Sequence, residues 1–225
     1  MEEVLERYSQ LLAEIDSWLD SCFQNYAGQI SCRMGCSECC RGLFDITLLD
    51  ALLLKQGIDR LPEWQRASIM AEAERRVQGI SAQWRQYTRP WMLNNIPEQT
   101  WDDMMPEDDE TPCLLLSESG SCLVYPYRPM TCRLNGIPMI DVSGEELFDE
   151  WCNLNFTDCD PRELEGVRFR FKDVFAQELL LFRELTRRLC GVAISEIDTL
   201  IPVAPLLDAK LLAEISADPS LLNRP

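Results

Sequence analysis

The run Cys32-Arg33-Met34-Gly35-Cys36-Ser37-Glu38-Cys39-Cys40-Arg41-Gly42 sets four thiols within nine residues. Thiolates two or three positions apart can turn onto one ion or cluster, whereas four unheld thiols so close together would be a reactive liability. Gly35 and Gly42 let the backbone pass through positive φ, which a chain wrapping an ion requires. The loop has little apolar surface of its own to bury, so metal binding is expected to be part of folding. The adjacent Cys39 and Cys40 diverge and suit one ion poorly, so one of them serves a second metal or packs.

A second block follows the same chemistry. Thr111-Pro112-Cys113-Leu114-Leu115-Leu116 and Gly120-Ser121-Cys122-Leu123-Val124-Tyr125-Pro126-Tyr127-Arg128-Pro129-Met130-Thr131-Cys132-Arg133 hold three more cysteines. The apolar pieces on either side of Ser117 to Ser121 predict a β-hairpin delivering Cys113 and Cys122, and a helical turn then carries Cys132. Arg128 and Arg133 are placed to pair with thiolate charge or with the acidic flanks. Cys152 and Cys159, in an aromatic segment, are further candidate ligands. Cys22 and Cys190 lie in amphipathic helical patterns and are expected to pack in the core.

Outward from these blocks the chain reads as helix. Leu5, Tyr8, Leu12, Ile15, Leu19 and Cys22 recur at three- and four-residue steps and predict a helix over about 2–24. Thr47 can cap a helix from Leu48 to Gln56, with Asp50 near its positive end and Gly57 ending it. Pro62 opens another reaching about Tyr87, its apolar side Trp64, Ile69, Val77, Ile80 and Trp84. Phe171 to Leu189 and Leu206 to Ser216 complete the set. Short strands are expected near Cys113, Cys122, Ile137 to Val142 and Val167 to Phe171. The fold class is therefore mainly α with a few short strands, a single domain over 1–225 whose irregular Cys-rich loops are organised around a metal centre. Its cysteine core spans about 32–160, packed by the helix 2–24 and by helices over about 171–216. A cysteine domain with a separate helical tail after Pro161 is the other arrangement.

Composition narrows the chemistry. The 225 residues are 46% hydrophobic and 26% charged, ordinary for a folded protein. The longest uncharged stretch, Ser21 to Cys32, is far short of the roughly 18 apolar residues of a membrane span. Net charge is −17, and the windows Pro90 to Tyr127 and Leu134 to Pro161 hold fifteen acids and no base. Without a basic stripe, nucleic acid and anionic membrane are not expected partners; a basic protein is a possible one. The run Asp102 to Glu110 reads as a solvated loop. Histidine is absent, which excludes Ser-His, Cys-His and His-metal sites, so any metal sits on sulfur or oxygen. No phosphate-binding Gly-rich loop or GxGxxG turn occurs. Eleven cysteines and an acidic, amphipathic Met1-Glu2-Glu3-Val4-Leu5-Glu6-Arg7 opening predict reduced thiols and a cytoplasmic location.

The run Cys32 to Cys40, Pro112-Cys113-Leu114 and Cys122-x-x-Tyr125-x-x-Arg128-Pro129-x-x-Cys132-Arg133 resemble the CxxCxxCC, YkgJ-type cysteine-cluster family, a zinc- or iron-chelating domain. The resemblance spans about residues 32–133 and implies metal or iron-sulfur binding by these cysteines. Cys32-x-x-x-Cys36-x-x-Cys39 also has the spacing of radical S-adenosylmethionine enzymes, but the segments after it read as helix and acidic loop rather than repeated βα units. Only Cys36 and Cys39 form the CxxC pair common in structural zinc sites, whereas iron-sulfur clusters accept looser spacings. The expected cofactor is therefore an iron-sulfur cluster, [4Fe-4S], with zinc as the alternative. The best-supported ligands are Cys32, Cys36, Cys39, Cys40, Cys113, Cys122 and Cys132. Seven exceeds four, so either two centres exist or some are not ligands. The expected function is a cysteine-ligated metal-binding protein in a redox, electron-transfer or metal-handling role. A metal- or cluster-dependent enzyme and a zinc-stapled interaction protein are the alternatives.

Overall fold

A computed structural model describes residues 1–33, 35–106, 108–218 and 220. Among the described residues the α-helices are α1 (Glu2–Asn25), α2 (Leu48–Asp59), α3 (Glu63–Gln83), α4 (Trp101–Met104), α5 (Met130–Leu134), α6 (Phe171–Cys190) and α7 (Ala209–Ala217). The strands are β1 (Asp45–Thr47), β2 (Met139–Ile140), β3 (Glu146–Phe148) and β4 (Asp198–Leu200). The chain is thus mainly α, at 54% helix, with a few short strands. Among the described residues, no helix is long and apolar enough to cross a membrane.

The helices form where the apolar steps place them. Every residue of the stripe Leu5, Tyr8, Leu12, Ile15, Leu19 and Cys22 is buried on α1. That face packs on α6, whose buried side is Phe171, Val174, Leu181, Phe182 and Leu185. Glu3 pairs with Arg188, Arg7 with Glu184 and Glu14 with Arg170, so the two helices run antiparallel. These pairs are exposed and contribute little beside the apolar seam. Helix α2 is buried nearly all round. Thr47 caps it as expected, accepting the Asp50 N–H at 3.1 Å.

Four expectations need correction. Gly57 does not end α2, which runs on to Asp59. The reason for a glycine there is packing, since a Cβ at Gly57 would stand 2.6 Å from the Tyr127 ring. Trp64 is 71% exposed, because it lies in the first turn of α3, ahead of the buried Ile69, Ala73 and Val77. The last helix begins at Ala209 rather than Leu206, since a three-ten segment, Ile201–Leu206, carries Pro202 and Pro205, and Asp208 caps α7 by accepting the Leu211 N–H at 2.7 Å. Val167 to Phe171 makes a single bridge, Asp141 to Phe169, after a three-ten turn at Glu165–Val167.

The strands are staples rather than layers. β1 pairs antiparallel with β4, bringing residues 45–47 onto 198–200, and β2 pairs antiparallel with β3. The three-ten segment after β4 packs between α2 and α3. One hydrophobic cluster runs from Val4 to Ile215 and includes residues of α1, α2, α3, α6 and α7. In the acidic run Asp102 to Glu110, of which Glu107 lies outside the described residues, Asp102, Asp103, Asp108 and Glu110 are exposed, as expected of a solvated segment, and Met104 is buried.

Candidate metal centre

The cysteine loop 32–42 lies between α1 and β1 and is tied to the second block by backbone bonds. The Cys113 N–H donates to the Cys40 carbonyl and the Gly42 N–H to that of Thr111, both at 2.8 Å, and Arg41 and Pro112 form an antiparallel bridge. The expected hairpin is present in minimal form. Leu116 bridges Cys122, the Ser117 N–H donates to the Ser121 carbonyl at 2.8 Å, and the Leu123 N–H to that of Leu115 at 2.9 Å. Cys132 rides on α5, the expected helical turn. These three pieces bring together an inner group of thiols: Cys40 feels the charge of Cys113, Cys122 and Cys132, and Cys132 that of Cys113 and Cys122.

A second, outer group surrounds Cys32, whose thiol feels Cys36, Cys39 and Cys152. Asn155 organises it. This side chain is 1% exposed, donates through Nδ2 to Cys32 Sγ at 3.3 Å and to the Gly136 carbonyl at 2.7 Å, and accepts the Ser31 N–H at 2.8 Å. The Cys152 N–H also reaches the Gly136 carbonyl, at 3.4 Å. On its other side the loop rests on the hairpin turn. There Gly120 has a φ of +77°, and a Cβ on it would lie 2.7 Å from the Gly35 carbonyl oxygen.

The vicinal cysteines join the two sets: the Cys32 thiol feels Cys39, and the Cys40 thiol feels Cys113, Cys122 and Cys132. The two neighbouring thiols act on each other in opposite senses, Cys39 being pushed up and Cys40 pulled down. Eight of the nine candidate cysteines are thus linked into two adjoining sets. The Cys159 N–H donates to the Phe156 carbonyl at 3.4 Å, and its side chain packs against the core. Cys22 is buried as expected and Cys190 half-buried; all eleven are free thiols. Among the described residues, no three Cys, Asp or Glu side chains form a group that could hold a metal ion. The thiols are neighbours without converging on a point.

Their electrostatics fit a soft cation. Burial raises Cys113, Cys122 and Cys132, and it raises Cys32 against the opposing Asn155 hydrogen bond. Thiolates that are desolvated and repel one another cannot all ionise unless positive charge is supplied among them, which zinc or iron does. Arg128 and Arg133 favour the Cys122 thiolate, and Arg133 Nη1 is buried with no hydrogen-bond partner, a donor left over for sulfur. Among the described residues, neither arginine forms an ion pair with an acid of the acidic windows. Both reach Asp16 on α1, Arg133 at 2.9 Å and Arg128 at 3.6 Å.

Sequence reading misses Asn155 and Asp16, and it takes Tyr8 and Asp50 for a core residue and a helix-end charge. Tyr8 Oη lies 2.8 Å from Asp50 Oδ1 and 3.1 Å from Glu178 Oε1, and the same Asp50 oxygen accepts the Met130 N–H at 3.0 Å, at the start of α5. A buried polar link thus joins three helices to the element carrying Cys132. No local pattern in the sequence signals such long-range partners.

A family model described as "Putative zinc- or iron-chelating domain", CxxCxxCC, matches residues 31–153. This is more than half of the chain and extends the expected span of 32–133. It takes in all eight cysteines of the two groups and leaves out Cys22, Cys159 and Cys190. No curated protein and no solved structure matches the chain.

Proposed function

The chain belongs to this CxxCxxCC family of zinc- or iron-chelating domains, and from that premise we propose that it is a two-centre metal-binding protein, with Cys40, Cys113, Cys122 and Cys132 holding one centre and Cys32, Cys36, Cys39 and Cys152 the other. One observation supports this reading: the Cys32 thiol feels Cys36, Cys39 and Cys152 whereas the Cys40 thiol feels Cys113, Cys122 and Cys132, so the two sets meet at the vicinal pair. Four thiolates complete the ligand set of a tetrahedral zinc or of an iron-sulfur cluster. The vicinal pair is then no longer awkward, because each member serves its own centre.

Iron-sulfur is the preferred occupant, in an electron-transfer, redox or metal-handling role in the cytoplasm. Loose ligand spacing and the unspent Arg133 donor beside Cys122 support it, since hydrogen bonds to cluster sulfur tune potential. Arg128 and Arg133 offset part of the thiolate charge, and Asn155 orients Cys32. Cys159 is not a ligand in this reading.

Elemental analysis of anaerobically purified, untagged protein for iron, zinc and acid-labile sulfide, with a visible spectrum, tests it. Two clusters predict roughly eight iron and eight sulfide per chain and a brown protein. About two zinc without sulfide would overturn the iron-sulfur preference and leave chelation standing. Protein that takes up neither metal would overturn both.

A further inference from the structure

The β2–β3 pair has two outer edges, and only one of them is covered. Beside β2 the Phe169 N–H donates to the Ile140 carbonyl at 3.0 Å, and Asp141 and Phe169 form a parallel bridge. β3 has β2 alone, so among the described residues no strand lies on its other side. An open edge offers N–H and C=O groups to an extended chain that comes alongside. The hairpin presenting this edge is firmly built. Asp141 accepts the Ser143 N–H at 3.1 Å and hydroxyl at 3.0 Å in the turn, and the Lys172 N–H at 3.2 Å at the start of α6. In the other sheet β4 is buried throughout and bridges both β1 and Met92, which leaves it no such opening.

What the edge displays selects its partner. Val142 and Phe148 are 64% and 48% exposed, and Glu145, Glu146, Asp149 and Glu150 are exposed around them. Glu145 pairs with Lys172, whereas Glu146, Asp149 and Glu150 form no ion pair among the described residues. Arg162, whose charge reaches Glu146 and Asp149, is held by Asp160 at 2.6 Å. A second copy of this chain would set these acids against their own kind, which opposes pairing of like strands. A basic strand is drawn to them. We propose that the outer edge of β3 is a docking site for an extended, Lys- or Arg-rich segment of a partner protein, which adds as a further strand with its main chain on Glu146–Phe148, its cations against Glu146, Asp149 and Glu150, and an apolar side chain against Phe148. This inference stands apart from the metal reading and gives the expected basic partner a place on the fold. β3 is short, and its pairing with β2 shifts register between Met139 and Ile140, so few main-chain bonds are on offer. Charge then supplies a large share of the affinity, and binding is modest and weakens with salt.

The test uses the full chain and a short fluorescent peptide that alternates lysine with valine and phenylalanine, followed by anisotropy and by amide hydrogen exchange. Two comparison peptides carry the same charge: one is N-methylated at every residue, which removes the strand-pairing donors, and the other sets its lysines among alanines and favours helix. The alternating peptide should bind, lose affinity as salt is raised, and slow exchange at Leu147 and Phe148. Both comparison peptides should bind about ten-fold more weakly, the worth of one or two net backbone hydrogen bonds. Combining Glu146→Gln with Glu150→Gln should weaken the alternating peptide about five-fold, the gain that two exposed ion pairs supply, with circular dichroism unchanged. Equal binding of the three peptides would reduce the surface to general acidity and overturn the inference. Full affinity in the double variant, protection that falls outside the hairpin, or no binding at low salt would overturn it as well. So would a free protein that sediments as a dimer with Leu147 and Phe148 already protected, since the edge would then belong to a second copy.

Discussion

A phenol has one hydrogen to give, and Tyr8 stands within bonding distance of two carboxyl groups, Asp50 and Glu178. One of those acids must therefore carry a proton, and the environments say which. Asp50 is pushed up only to about 6, because the Tyr8 hydroxyl, the Met130 N–H, Arg133 and Thr47 offset its burial. Glu178 is pushed up to about 8 by burial and by the charge of Asp50. It also faces Asp198 of β4, itself raised to about 8. Between the ordinary Glu value of 4.5 and about 8 the folded chain binds protons that the unfolded chain has lost. Stability is then greatest near the bottom of that window and falls as pH climbs through it. Glu178→Gln keeps a partner for Tyr8 and removes the proton, so it should flatten the fall and gain on the order of 2 kcal/mol over wild type at the top of the window, less than full burial implies because water and relaxation soften it. Thermal unfolding of both proteins at matched metal content, at the two ends of the window, would show parallel slopes if Glu178 is already ionised. None of this is legible in sequence, where a buried carboxyl and a capping carboxyl look alike.

Elements are legible to the extent that they are periodic. The stripe on α1 and the Thr47 cap of α2 can be read because a helix buries one face and orphans its first N–H groups, and both leave marks at fixed spacing. The hairpin, the turn bearing Cys132 and the family resemblance are legible in the same way. What fails depends on contacts made at a distance: Gly57 reads as a stop signal, though its role is to admit Tyr127. The proposed division of the thiols has no such mark either, and in that reading it depends on loop 32–42 lying across the hairpin turn. That crossing is testable at Gly120. A methyl there meets the Gly35 carbonyl at 2.7 Å on a backbone with a φ of +77°, so Gly120→Ala should cost roughly 1–3 kcal/mol and push the loop off the turn. The outer centre should weaken more than the inner, read as a lowered metal content that leaves about half the metal bound. Equal loss from both centres would mean that the turn supports the whole cluster rather than one side of it.

At the scale of the molecule the question is how much of the fold the metal holds. The loops alone give the expectation that metal binding and folding are one event. The core argues for a narrower dependence. Its buried members run from Val4 to Ile215 and include residues of α1, α2, α3, α6 and α7, and none of the eight grouped cysteines is among them. Cys32, Cys113, Cys122 and Cys132 touch that core from outside, partly buried. Removing the metal therefore withdraws support from the loops over 31–42 and 111–134 but exposes little of the apolar seam between α1 and α6. In their place it leaves thiols of which Cys32, Cys113, Cys122 and Cys132 are held in the protonated form by burial. Under anaerobic chelation the protein should keep most of its far-ultraviolet helical signal and lose several degrees in Tm. Limited proteolysis should cut first within those two loops, at local opening costs well below that of the whole fold. Cys132→Ser should mimic chelation on the second loop. Cys190→Ser, far from both groups in sequence, should leave metal content and cleavage pattern as they were. Collapse of the helical signal on chelation would show instead that the loops nucleate the core, and that metal binding and folding are one event.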